Sequence, residues 1–308
     1  MSKTITVIGS YSVGMFFCGD VLPKPGETVN GTKFFEGHGG KGSNQAFAAA
    51  LMGADTRFIA RVGDDKYGHA AIAAYKQYGV DASLVKIDSN ADTSIGAILI
   101  DADGRNLINI VPGANGNLSP ADIDEILPMV KDSEIVGFQL ENKLSTIQYA
   151  LEKFSALGVK TLLDPAPAVP LPDDLYKHIY YLKPNEHEAY LLSGIQVTEE
   201  QSAYTAGRWF LDKGVNTVII TMGEKGSVIM TATESFFVPA AEVDVVDTTG
   251  AGDCFSGTMM AALAEGQSIK DAVVLASYSA ALAVTKAGVV NALPTREEVE
   301  KFIRGEAK

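Results

Sequence analysis

Two aspartates bracket a run of small residues in Asp247-Thr248-Thr249-Gly250-Ala251-Gly252-Asp253, and residues 254–265 after it read as a helix. Small residues ahead of a helix leave backbone N–H groups free to form an anion hole, and the helix dipole adds favourable potential there. Asp253 would stand beside that hole. Phosphoryl transfer needs mainly positioning and charge stabilisation, plus one acceptor that orients and deprotonates the attacking hydroxyl; a carboxylate at this place supplies the acceptor. A plain structural explanation also exists, because an acid in the first turn of any helix complements its dipole.

A second glycine-rich segment, Gly37-His38-Gly39-Gly40-Lys41-Gly42-Ser43-Asn44, directly precedes another helix. Its glycines permit close backbone approach to a ligand, while Lys41 and Asn44 offer a charged and a neutral donor; a tight glycine turn that only starts a helix explains it as well. The segment formally matches G-x-G-x-x-G. That match motivates a rival reading, a nicotinamide-dependent oxidoreductase with a strand ending just before Gly37 and Asp55 or a neighbour on a ribose. Residues 32–36 do not read as a buried strand, however, and the first β-branched run already ends at Gly9. A Walker loop is excluded, since Gly42 stands where Ser or Thr must follow the lysine.

Two further segments are compatible with both chemistry and plain structure. In Lys183-Pro184-Asn185-Glu186-His187-Glu188, Asn185 is a good N-cap with Glu188 three residues on, so a capping box accounts for both; the same carboxylate could hold Mg²⁺ through water. Thr221-Met222-Gly223-Glu224-Lys225-Gly226 ends a strand in a glycine turn, ordinary in an α/β loop and also suited to a nucleotide. In a parallel sheet, such loops gather in one crevice at the carboxyl ends of the strands.

The elements that must carry these segments follow a βαβ rhythm. Residues 4–9 read as a buried first strand, 41–52 as a helix, 57–62 as a strand and 69–78 as a helix. The rhythm resumes with a strand at 135–139, a helix at 145–157, strands at 161–164, 179–182 and 217–221, and a group of helices from Gly250. Residues 11–36, with Pro23, Pro25, Gly26 and Gly31, do not suit a helical crossover. Residues 94–101 and 106–110 flank Ala102-Asp103-Gly104-Arg105, a hairpin signal. These two regions could together make a small separate sheet. With no internal repeat and no low-complexity linker, the 308 residues read as one domain carrying that sheet as an insertion.

Composition narrows the partners. Hydrophobic residues are 46% and charged residues 20%, enough apolar material for a packed core. A formal charge of −13 repels polyanions, which argues against nucleic acid or an anionic membrane as partner. Neither an apolar leader nor an apolar run of about 18 residues is present, which points to the cytoplasm. Cys18 and Cys254 are far apart and read as reduced thiols. The four histidines lack the companions of a zinc site, whereas Mg²⁺ needs only one or two carboxylates and substrate phosphates.

Taken in order, the segments resemble the ribokinase family of carbohydrate kinases across essentially the whole chain. The resemblance rests on Gly9-Ser10, Pro25-Gly26-Glu27-Thr28, Gly39-Gly40-Lys41-Gly42 with Asn44, Gln139-Leu140-Glu141 and Asp164-Pro165-Ala166-Pro167-Ala168. It continues through Pro184-Asn185-Glu186 with Glu188, Thr221-x-Gly223, and the 247–253 segment. Each pattern is short, but chance would have to supply all of them in this order. The resemblance implies a three-layer α/β/α domain with a mostly parallel central sheet and a small β lid from about 11–36 and 94–110. It also implies a homodimer through that lid. It implies transfer of the ATP γ-phosphate to a hydroxyl, a primary alcohol, of a sugar or sugar-like substrate. Asp253 would be the general base and the amides of Gly250, Ala251 and Gly252 the anion hole. Ser12, Gly14, Gly40, Lys41, Asn44 and Glu141 match sugar-side positions; Asn185, Thr221, Gly223, Glu224, Gly226, Gly252 and Ser277 match ATP-side positions. Glu188 lies near Mg²⁺, and Asp247 and Thr249, with backbone groups around Ala283 and Gly288, match a site for a monovalent cation such as K⁺.

One departure bears on the substrate. Where ribose kinases carry Asn and Asp after the first-strand Gly-Ser, this chain has Ser12 and Gly14. A hydroxyl buried without its acceptor costs about 1 to 3 kcal/mol, so D-ribose is expected to bind poorly. Phe16, Phe17 and His38 could reshape that wall. A different sugar, a sugar acid, a polyol or a nucleoside are each compatible, and a catalytically silent sugar sensor on the same fold is the reading that the altered wall motivates.

Overall fold

The computed structural model describes residues 4–306; the Met1–Lys3 start included in the leader-free reading, and the last two residues, lie outside it. The chain opens with strand β1 (Thr4–Ile8), leaves the centre through β2 (Ser12–Gly19) and β3 (Gly31–Gly39), and returns in helix α1 (Lys41–Leu51). There follow β4 (Asp55–Ile59), β5 (Arg61–Gly63), α2 (Lys66–Gln77), β6 (Val80–Asp81), β7 (Lys86–Asp88) and the hairpin β8 (Ile95–Ile100) and β9 (Asn106–Val111). The second half runs α3 (Pro120–Val130), β10 (Ile135–Phe138), α4 (Leu144–Ala156), β11 (Lys160–Leu163), β12 (Tyr181–Leu182), α5 (Glu186–Ser193) and α6 (Glu200–Asp212). It closes with β13 (Thr217–Thr221), β14 (Ser227–Met230), β15 (Ser235–Val238), α7 (Ala251–Ala264), α8 (Ile269–Ala283) and α9 (Arg296–Ile303).

Nine strands form the central sheet in the order β15-β14-β13-β12-β11-β10-β1-β4-β6. From β13 to β6 all neighbours are parallel, and β14 and β15 add an antiparallel edge. Successive strand residues point to opposite faces. Accordingly Ile5, Ile135, Leu162, Tyr181 and Ile219 join one apolar core, while Ile8, Val136, Phe138, Leu163, Leu182, Val218 and Ile220 join another. Helices α1, α2, α7, α8 and α9 close the first core, and α3 to α6 close the second. Strands buried on both faces read as mostly apolar runs, the pattern of β10 and of the middle of β13, whereas β4 opens on Asp55-Thr56-Arg57.

Strands β3-β2-β8-β9 build a separate four-stranded sheet. Its hairpin turns at the expected Asp103-Gly104, where Asp101 accepts the amides of Asp103 and Arg105. Run 57–62 is not one strand. The chain leaves the central sheet after β4 because Arg61 cannot stay in an apolar layer: its guanidinium grips Asp122 at 2.8 and 3.1 Å and Asp88 at 3.1 Å, and β5 pairs with β7 instead. Residues 32–36 do lie in a strand, but an exposed one. Among the described residues, no helix is long and apolar enough to cross a membrane.

Candidate active site

The chain steps outward from β1 in opposite directions, to β4 and β6 on one side and to β10, β11, β12 and β13 on the other. A crevice opens at such a switch point, outside the carboxyl ends of the strands. Each of those ends delivers a singled-out segment: Gly9-Ser10 after β1, Gln139 to Glu141 after β10, Asp164 after β11, Lys183 to Asn185 after β12 and the 221–226 turn after β13.

Two helix starts face this crevice, and they touch. Asn44, in the first turn of α1, donates from Nδ2 to Asp253 Oδ2 at 2.8 Å, and Gln45 donates from Nε2 to Asp253 Oδ1 at 3.2 Å. The approach depends on Gly257: a β-carbon there would sit 2.3 Å from the Gln45 carbonyl oxygen, so no other residue lets α7 lie this close to α1. Gly250 caps α7 with φ 79°, a left-handed turn, and no side chain caps that end; the Ala251 amide makes a long bond of 3.3 Å to the Thr248 carbonyl.

Asp253 is 5% exposed. Burial pushes its carboxyl above the usual range; Lys41 pulls the other way and Asp164 adds to the rise. Lys41 is held in its charged form, foremost by Asp253 and against its own burial. The Lys41 amide donates to Glu141 at 2.8 Å, and Ser10 Oγ donates to the same carboxylate. Asn44 Oδ1 and Gln139 Oε1 are buried with no hydrogen-bond partner among the described residues. A buried acceptor left bare is costly, and a ligand hydroxyl or amide would relieve it.

Asn185 and Glu188 make the capping box reciprocally, at 2.8 and 2.9 Å. Glu188 is nonetheless part of the crevice electrostatics: burial and then Asp164 push its carboxyl up. Asn185 also bridges to Thr221, so these two positions, expected on the ATP side, share one ledge with Gly223, Glu224 and Gly226 in the turn after it. Ser277 is half-buried on α8 and joins none of these hydrogen bonds among the described residues. Asp247 accepts the amides of Thr249 at 2.9 Å and Gly288 at 3.0 Å, while the Val284 carbonyl, next to Ala283, accepts the amides of Val246 and Asp247. Burial opposes it, but those hydrogen bonds hold the Asp247 carboxyl below the usual range. Ser12 and Gly14 lie on β2, opposite Gly39 and Gly37, and the Phe16 ring covers Gly14: a β-carbon on Gly14 would come within 2.7 Å of Phe16 Cε2.

Sequence reasoning assigned no role to Gln45, Asp164, Lys183 or Ser256, which are all buried here. The signal was there for two of them. Gln45 is polar beside a helical run of Ala and Phe, and Ser256 lies one turn after Asp253, on the same face.

The nicotinamide reading fails on topology: β3 runs on through the half-buried Gly37–Gly39 as a strand paired antiparallel to β2, not as a buried parallel strand that ends before Gly37. Asp55 opens β4 and accepts from Thr4 Oγ1. The sequence matches the pfkB family carbohydrate kinase over residues 2–296. This chain belongs to that family. A ribokinase of Haemophilus influenzae is 37% identical over 303 residues, 98% of this chain and 99% of its own. A deoxyribokinase of Salmonella typhi is 35% identical over 300 residues, covering 97% and 98%. The solved Arabidopsis thaliana ribokinase, complexed with ribose and ATP, matches 99% of both chains with a TM-score of 0.93 at 30% identity. The expected ribokinase-type α/β fold is borne out, and this pfkB-family protein is an ATP-dependent sugar kinase.

Proposed function

We propose that Asp253 is the base of this kinase, that the amides of Gly250, Ala251 and Gly252 receive the transferring phosphoryl group, and that the acceptor is a primary alcohol of a sugar. The observation that carries this reading is the hydrogen bond from Asn44 to Asp253, which joins the early lysine-bearing turn to the late glycine-led helix at the mouth of the switch point. Asp253 takes the proton of the hydroxyl as its oxygen attacks the γ-phosphorus, and the bond from that phosphorus to the β-bridging oxygen breaks, leaving ADP. Lys41, held charged beside Asp253, offsets the charge that builds on the transferring oxygens. Gly40, Lys41, Asn44 and Glu141 hold the sugar, with Ser12 and Gly14 on the outer wall; the bare Asn44 Oδ1 suits a sugar hydroxyl. Asn185, Thr221, Gly223, Glu224, Gly226, Gly252 and Ser277 hold the nucleotide.

Among the described residues, no three His, Cys, Asp or Glu side chains cluster to hold a metal. The Glu188 carboxylate, beside Asp164 and Lys41 in the crevice, fits a Mg²⁺ bound chiefly by the nucleotide phosphates, which it would reach through water. Mg²⁺ would supply positive charge that neutralises the phosphates. The hard oxygens of Asp247, with Thr249 and the backbone near Ala283 and Gly288, fit K⁺. The sheet of 11–36 and 94–110 is proposed as a lid on a single domain. Its exposed Phe34, Leu107, Ile108, Ile110 and Val111 support a homodimer through that sheet.

The test is a phosphorylation screen with Mg-ATP over pentoses, deoxypentoses, hexoses, sugar acids, polyols and nucleosides. One sugar phosphorylated with kcat/KM well above the rest is expected. A nucleoside leading the screen replaces the sugar, and no phosphorylated alcohol at all removes the base assignment.

A further inference from the structure

The charges around Asp253 do not stop at Lys41. Lys183 follows β12 into the interior, and its ammonium lies 2.9 Å from Asp164 Oδ2, the two side chains being only 4% and 3% exposed. The same ammonium donates to the carbonyl oxygen of Gly252 at 3.2 Å, behind the first turn of α7. Asp164 Oδ2 also accepts from Gln45 Nε2 at 3.1 Å and from Ser256 Oγ at 2.9 Å. Since Gln45 Nε2 bonds Asp253 Oδ1 as well, one amide nitrogen stands between two carboxylates.

We propose that Lys183 is a positioning residue for phosphoryl transfer: its ammonium cancels the Asp164 charge beside Asp253 and, through the Gly252 carbonyl, fixes the turn that presents the anion hole. The inference rests on Asp253 being the base. Two carboxylates that share a hydrogen-bond donor resist ionising together, and the second to lose its proton does so at higher pH. Asp253 must be ionised to act, so a neighbour left at full negative charge would hold it protonated over more of the working range. The charged groups facing Asp253 are Lys41 on α1, Glu141 after β10 and Asp164 after β11; Glu188 on α5 faces Asp164, Lys41 and Lys183. Lys183 is the one cation bonded to Asp164 among the described residues. Lys41 alone would then face four carboxylates.

A buried pair kept for stability alone makes a different forecast. Cutting it costs folding energy but leaves the pH response of turnover where it was. The bond to Gly252 is the second distinction, because it ties the pair to a backbone atom of the turn itself. Misplacing such a turn by about 1 Å lowers turnover on the order of 10²-fold.

The experiment measures kcat and kcat/KM against pH for Lys183→Met, Asp164→Asn and the double variant, with the sugar that leads the screen. Lys183→Met is expected to lower kcat on the order of 10²-fold with the sugar KM within about threefold. Its acid limb should move up by about one pH unit. Asp164→Asn, which keeps the ammonium, should move the limb down. The double variant should restore the parental limb while kcat stays low, since the Gly252 carbonyl still lacks the ammonium and keeps only Ser256 Oγ, at 3.0 Å, as a side-chain donor. A limb that stays fixed in Lys183→Met and Asp164→Asn overturns the proposal, as does a double variant with parental kcat. If Lys183→Met does not fold, Asp164→Asn and the charge-balanced double variant still decide it. Asp253→Asn assayed in parallel separates the two layers: a variant that keeps its turnover sinks the base assignment, whereas its inactivity with fixed limbs elsewhere sinks only the role of Lys183.

Discussion

Replacing Asp253 by Asn tests chemistry and folding in opposite directions. General-base catalysis contributes about 10² to 10⁴-fold, so turnover should fall by that factor, or about 2.7 to 5.4 kcal/mol of transition-state stabilisation. ATP binding should change little. Stability should rise. Burial holds the Asp253 carboxyl above its usual range, so the folded chain binds that proton more tightly than the unfolded chain does. By linkage, the contribution to folding is complete below the unfolded value of about 3.9 and is lost as pH rises through the folded value. At neutral pH the buried ion is therefore a net cost, and Asp253→Asn removes it. The new amide also meets a ready acceptor: Asn44 Oδ1 is bare, and the Asn44 side chain needs only to turn over to receive the new N–H. Relief of such a site is worth on the order of 1 kcal/mol, which for a chain this long is about 1 to 2 °C in Tm. The assays are ADP release at saturating sugar and ATP, and thermal unfolding at pH 7 and again near pH 4, where the gap should close. Turnover within threefold of the parent refutes the base assignment. A Tm lowered by several degrees at pH 7 refutes the electrostatic reasoning, because it would mean that Lys41 and the amide donors more than repay the burial.

Turnover should be faster in KCl than in choline chloride at equal ionic strength, if Asp247 and the carbonyls beside it hold K⁺; equal rates discard that site. Gly14→Asp combined with Phe16→Ala, which clears the ring now 2.7 Å from a β-carbon at that position, should raise kcat/KM for D-ribose about 5- to 150-fold. An unchanged ribose rate would take Gly14 out of the sugar wall. Ile108, 57% exposed on the outer strand of the four-stranded sheet, is the place to test association: Ile108→Lys should turn a dimer into a monomer in sedimentation velocity, and a parent that already sediments as a monomer rejects the lid interface.

The parallel strands were legible because burial on both faces leaves a mostly apolar run, and a run such as Thr217–Thr221 is bounded by Asn216 and Met222-Gly223 as the sequence reading placed it. The hairpin at Asp103-Gly104 was legible for a local reason, its turn chemistry. The split at Ala60 was not. It depends on Arg61 meeting Asp122 and Asp88, partners up to 61 residues away that no local pattern displays. The edge strands β14 and β15 and helix α6 were not read, although α6 opens on a capping box of Glu199 and Ser202. At the site, the segments with glycine announced themselves, because a glycine-rich run is rare enough to notice. Lys183 did not. A lysine after an apolar strand reads as solvated, and only Asp164, brought in from the adjacent strand, explains why it stays inside.

The acid chain and its anionic cosubstrate are reconciled by distance. Exposed charges act through solvent and fade beyond a Debye length of about 8 Å, so most of the −13 does not reach the crevice. Inside it the balance is set by Lys41 and Lys183 against Glu141, Asp164, Glu188 and Asp253. Two ammonium groups facing four carboxylates leave no net positive charge for a polyphosphate, which is why the proposed function puts the weight on the amides at the start of α7 and on a cation that would arrive with the nucleotide. For Asp253 as the proposed base, burial is the foremost cause that raises the carboxyl and so strengthens it as a base, while Lys183 beside Asp164 limits how far a neighbouring carboxylate adds to that rise.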